Sequence, residues 1–183
     1  MNFRYKLYFV AAGLLLLCTG CVNETVEGTT QTFTYELWVP ISLLIGGLAA
    51  TLIGWFFRDV LGRFGWALLV LGPLLAVFFA PSMFRDRAVV TETAFSLRTG
   101  IWGLTSVHEV EYDDLAMIRI TLEESRGRRG RKRSNYYLVC KLNDGSEAKV
   151  PMNNKVAEAA APAFLGHAAK LGVPIVDQTP LTR

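Results

Sequence analysis

The chain has 183 residues, 51% of them hydrophobic, and a formal net charge of +3. The apolar excess lies before Ala80, which excludes an ordinary soluble globule and leaves about a hundred residues for one small domain with its own core. The mild net charge conceals a local surplus, because Arg126, Arg128, Arg129, Arg131, Lys132 and Arg133 crowd into one short run. Cys140 is the lone cysteine after the first apolar run, so that part of the chain has no internal disulfide and no zinc spacing.

Met1 to Lys6 carries Arg4 and Lys6 and precedes an apolar run from Leu7 to Leu17. A basic start, a short apolar run and small residues before a break make a secretory signal over residues 1–21. Leu17-Cys18-Thr19-Gly20-Cys21 resembles the bacterial lipobox, with Cys18 standing where leucine is usual. That resemblance implies a lipid on Cys21. The alternative is an uncleaved first transmembrane helix, and both place residue 22 outside the cytoplasm.

Residues 22–37 follow, rich in Thr and without Lys or Arg, and read as a polar linker. Two uncharged apolar segments come next, Trp38 to Phe57 and Phe64 to Ala80, separated by Arg58-Asp59-Val60-Leu61-Gly62-Arg63. At ~1.5 Å rise per residue the first reaches about 30 Å, the thickness of a bilayer's hydrocarbon core. Residues 38–80 therefore read as an antiparallel transmembrane hairpin, with Trp38, Trp55, Phe56, Phe57, Phe64 and Trp66 at its boundaries. Gly46, Gly47, Ala50 and Gly54 offer a small face for the second helix, and Pro73 is expected to kink that helix. An exported leader makes the Arg58/Arg63 turn cytoplasmic and everything after Ala80 external, whereas Arg85 and Arg87 favour a cytoplasmic domain. The signal-like start and the linker without positive charge decide for export across the inner membrane, with a cytoplasmic domain as the alternative.

From Ala88 the pattern changes to period-two alternation. Ile118, Ile120 and Leu122 share one strand face, Tyr136, Leu138, Cys140 and Leu142 another, and Asn143-Asp144-Gly145 turns the chain into Ala148, Val150 and Met152. Asn154 is a candidate cap for a helix over Lys155 to Leu171, with Val156, Ala160, Phe164 and Leu171 on one stripe and Pro162 expected to bend or split it. Residues 176–183 are a tail.

Val90 to Gly103, followed by Val110 to Ile120, resembles the bacterial pleckstrin-homology-like (PH-like) domain, a family whose members often follow a pair of transmembrane helices. The likeness covers about residues 84–175 and rests on order and spacing. It implies a seven-stranded, partly open barrel capped by a C-terminal helix, so the expected fold class is α+β. It implies no activity, since such domains serve mainly in binding and assembly.

The basic run from Arg126 to Arg133, broken by Gly127 and Gly130, reads as a loop able to lay guanidinium groups on a polyanion, or as a solvated tip that protects a sheet edge. Phosphoinositide binding does not carry over, because the first hairpin offers only Arg98, with Ile101 and Trp102 at its tip. Glu109, Glu111, Asp113, Asp114, Glu123 and Glu124 form an acidic patch without calcium-loop spacing. His108 and His167 lack a catalytic neighbour. The sequence thus points to a non-catalytic, membrane-anchored binding or assembly module without a cofactor, a small-molecule substrate or nucleic acid. Its expected partners are membrane lipid and an envelope protein. The rival expectation is a structural accessory subunit that joins a larger membrane complex through its helices.

Overall fold

The computed structural model describes residues 22–101, 104–126 and 132–177. Two strands open it, β1 (Val22–Glu27) and β2 (Thr30–Tyr35), followed by helices α1 (Trp38–Leu61) and α2 (Arg63–Arg85). Then come β3 (Arg87–Val90), β4 (Ala94–Ile101), β5 (Leu104–Glu111), β6 (Leu115–Arg126), β7 (Lys132–Leu142) and β8 (Glu147–Pro151). Helix α3 (Lys155–Lys170) and β9 (Ile175–Asp177) are the last elements among the described residues. The fold is α+β, and two compact units divide it: one holds the helix pair with residues 99–105, the other holds the sheets with α3.

In the helix unit, α1 and α2 have mean hydropathies of 1.9 and 2.1 and are long and apolar enough to cross a bilayer. Only 22% and 17% of their most apolar windows are buried, unlike the core helices of a soluble protein. Their contact is a seam of glycines. Gly47 and Gly54 are two turns apart on α1, as Gly65 and Gly72 are on α2. A Cβ on Gly47 would stand 2.7 Å from the Gly72 carbonyl oxygen, and one on Gly54 would stand 2.7 Å from that of Gly65. The backbones therefore touch, as small residues allow between helices in lipid.

The turn is tighter than expected, since Arg58 to Leu61 remain helical and Gly62 alone, at φ 54°, reverses the chain. The second helix also runs past Ala80 to Arg85, through both Pro73 and Pro81. A π-helical turn over Leu75–Phe79 makes this feasible. It resets the register so that Pro81 falls in the first turn of the closing α segment, where a missing N–H costs no bond.

Residues 22–37 are not a linker. β1 and β2 join the sheet with order β1-β2-β3-β4-β5, and β2 pairs antiparallel with β3, Thr34 opposite Arg87 and Phe33 opposite Ala88. The helical hairpin is thus an excursion between two hydrogen-bonded strands, connected to them by Glu36 and Leu37 on one side and Asp86 on the other. The second sheet has order β8-β7-β6-β9, with β9 parallel to β6. Instead of about seven strands in a partly open barrel, the described residues form a five-stranded and a four-stranded sheet with no closed barrel.

Alternation works as the sequence predicts for Ile118, Leu138, Cys140 and Val150, all buried. Asp144 accepts bonds from the Ser146 amide (2.8 Å) and hydroxyl (2.7 Å), which fixes the turn before β8. Asn154 caps α3 by accepting from the Ala157 N–H at 3.0 Å. The helix continues through Pro162, which lies with Glu158 on the exposed side where water can serve the lost carbonyl bond. Its buried stripe is Val156, Ala160, Phe164 and Ala168, each four residues from the next, while Leu171 is 56% exposed because the helix ends before it. The Phe164 ring is fully buried, 4.6 Å from Phe95 and 5.7 Å from Tyr112, and so joins α3 to both β4 and the β5–β6 connection. Replacing Phe164 with Ala is predicted to cost about 3–5 kcal/mol. Chemical denaturation of the full chain in detergent, followed by the loss of sheet signal, measures it; an unchanged midpoint would remove α3 from the core.

Candidate functional site

The basic run lies at the far end of the longest strand pair. β6 and β7 stay in antiparallel register from Leu115 opposite Leu142 to Ser125 opposite Arg133 and Arg126 opposite Lys132. The backbone thereby brings Arg126, Lys132 and Arg133 to one hairpin end. Arg128, Arg129 and Arg131 lie outside the described residues, as does Cys21. Nearer the domain, Lys149 on β8 pairs with Glu123 on β6 at 3.0 Å, an exposed contact across the sheet whose hydrogen bond pushes the Lys149 pKa up.

A second basic feature appears only in the register. Thr34, Arg87 and Arg98 stand directly opposite one another across β2, β3 and β4. They share the face opposite to Phe33, Ala88 and Leu97, which are buried. Residues directly opposite on neighbouring strands hold their Cβ atoms about 5 Å apart, so the two arginines are neighbours on one face. Arg87 is exposed and Arg98 half-buried, and neither has an ion pair among the described residues. The Nε of Arg98 is buried without a hydrogen-bond partner. The sequence shows both arginines but not that they are neighbours, because pairing between β3 and β4 is not a local property.

Asp86 is the residue that follows α2. Its Oδ1 accepts the Gly100 N–H at 3.1 Å. Burial pushes its pKa up to about 6, against a smaller pull downward from that hydrogen bond.

The remaining titratable groups form no catalytic constellation among the described residues. His108 lies on β5, and His167 on α3 lies with its ring 6.2 Å from Tyr112. Burial raises the Cys140 thiol to about 12, which makes it a small hydrophobe. Burial, followed by the proximity of Cys140, likewise raises Tyr112 to about 12. Glu109, Glu111, Asp113 and Asp114 are exposed, and no three His, Cys, Asp or Glu side chains converge for a metal ion among the described residues. An open depression is lined by Tyr112, Asp113, Asn143 and Pro174, with Asp113 as its one carboxylate and no His, Cys, Ser or Lys beside it.

No family model, no curated protein and no solved structure matches this chain. What the site does is therefore argued from its own geometry.

The raised Asp86 pKa sets a pH dependence. The folded state favours the protonated carboxyl, so the stability it contributes is complete below the ordinary carboxylate range and is lost as pH rises through about 6. Asp86→Asn, which keeps an acceptor for Gly100, is predicted to match the parent chain at pH 4 and to be more stable at pH 7. Thermal unfolding in detergent across that range checks this; a constant difference between the two chains would contradict it.

Proposed function

We propose that the protein is a non-catalytic binding or assembly module anchored in a bacterial inner membrane by α1 and α2. The sheet domain presents the basic β6–β7 hairpin end to an envelope protein or an anionic surface. The observation that carries this reading is the connection between anchor and sheets. Strands β2 and β3 are paired on either side of the helical excursion, so the domain is tied to the helix ends by two short connections rather than one flexible tether. A module held within a few residues of a bilayer meets anionic headgroups and membrane-bound partners before anything else.

Chain order gives the rest of the reading. A leader that ends in the lipobox-like Cys21 places β1 and β2 outside the cytoplasm, and their pairing with β3 takes residues 87–177 to the same side. The α+β class and the helix α3 at the C-terminal end are what support the PH-like likeness over residues 84–175, with β1 and β2 as additions supplied from before the helices. The rival role, an accessory subunit that docks through small residues on its helices, loses Gly47, Gly54, Gly65 and Gly72, which the chain's own helix contact occupies. Ala49, which is exposed, and the half-buried Gly46 and Ala50 are the small residues of α1 left for such docking, beside the large apolar side chains.

Replacing Arg126, Arg128, Arg129, Arg131, Lys132 and Arg133 with Gln is predicted to weaken capture of an envelope partner, or binding to anionic vesicles added in trans. The parent's binding is predicted to decline with salt, since each charge near an anionic surface is worth about 1 kcal/mol and is screened beyond ~8 Å at physiological ionic strength. Pull-down from mild detergent and vesicle co-sedimentation at several salt concentrations measure both. Equal binding by parent and variant would take the hairpin end out of the mechanism.

A further inference from the structure

We propose that Arg87 and Arg98 form a binding site for the phosphate of an anionic lipid in the membrane that holds α1 and α2, separate from the basic hairpin end. The inference rests on the membrane anchorage argued above.

Three observations lead to it. Arg87 and Arg98 are directly opposed on β3 and β4, and like charges in that position repel unless an anion lies between them. Neither finds a carboxylate among the described residues, and the buried Nε of Arg98 has no acceptor. A native sheet that keeps two adjacent guanidinium groups unneutralised is built for an external anion. The third observation is chain position. Arg87 is two residues beyond Arg85, the last residue of α2, and two extended residues span at most about 7 Å. Covalent reach alone keeps Arg87 at the level where an apolar helix emerges among headgroups.

The chemistry fits a phosphodiester. Guanidinium groups present planar N–H forks that bind phosphate oxygens in pairs, and two of them side by side surround a single negative centre better than one ammonium does. Thr34, next to Arg87 on the same face, adds a hydroxyl that can donate to a third oxygen. A zwitterionic lipid carries its own ammonium group beside the phosphate, which these arginines repel. The site therefore selects a lipid with net negative charge, such as phosphatidylglycerol, over phosphatidylcholine.

The test is native mass spectrometry of the full chain released from micelles containing equal amounts of phosphatidylglycerol and phosphatidylcholine. The parent chain is predicted to retain phosphatidylglycerol preferentially. Arg87→Gln and Arg98→Gln each reduce that preference about fivefold, the equivalent of one cation near an anionic surface. Arg87 is exposed, so its single variant reports on the site even if Arg98→Gln disturbs the sheet. A chain with the six basic residues of the β6–β7 hairpin end neutralised keeps the preference. Excess inorganic phosphate leaves the retained lipid in place, and displacement by it would overturn a lipid site in favour of a free-anion site. Equal retention of the two lipids by the parent, or an unchanged preference in Arg87→Gln, overturns the arginine site and leaves the anchorage intact. Retention of neither lipid overturns both.

Discussion

The constraint on which the structure depends is the unpaired apolar surface of α1 and α2. Phe56 is 73% exposed and Phe64 71%, and Trp55, Trp66, Ile45 and Leu48 are all more than half exposed. The two helices bury glycine against glycine and turn their large side chains outward, the reverse of a soluble core. Burial of a single such side chain contributes about 1.5–3 kcal/mol, so the outward faces together favour apolar surroundings. Everything else follows from where that medium ends.

The chain joins the helices to the sheets through two short connections. The helices leave from β2 and return to β3, and the pairing of Thr34 with Arg87 means that departure and return lie side by side. Within the helix unit, Asp86 accepts the Gly100 N–H. Charge distribution follows the same plan. Arg85 sits in the last turn of α2, where a cation complements the helix dipole, and Arg87 and Arg98 continue the positive charge onto the sheet. An anionic headgroup layer is the surface that such an arrangement complements.

Legibility in the sequence tracked the range of each interaction. The apolar helices, the Asn143-Asp144-Gly145 turn, the Asn154 cap and the alternation around Ile118 and Cys140 are local patterns, and the structure keeps them. Residues 22–37 look like a linker in the sequence because their polarity and charge mask a period of two. Thr30, Thr32 and Thr34 alternate with Gln31, Phe33 and Tyr35, a strand pattern in which Phe33 is buried. Pro73 is expected to kink its helix and Pro162 to bend or split its own; α3 stays helical through the exposed Pro162, and a π-helical turn follows Pro73. The Arg87–Arg98 pair lay beyond sequence reasoning because register, not composition, makes it. The basic run from Arg126 to Arg133 is a local feature of the sequence, and its backbone ends converge at the β6–β7 hairpin.

The account's central claim is that the helical hairpin lies in lipid with the sheets held at the surface. Alkaline carbonate extraction of vesicles reconstituted with the full chain, followed by flotation, tests it most directly. The account predicts that the chain floats with the bilayer after extraction and aggregates when lipid and detergent are both withdrawn. Release into the aqueous fraction as a monodisperse protein would contradict it.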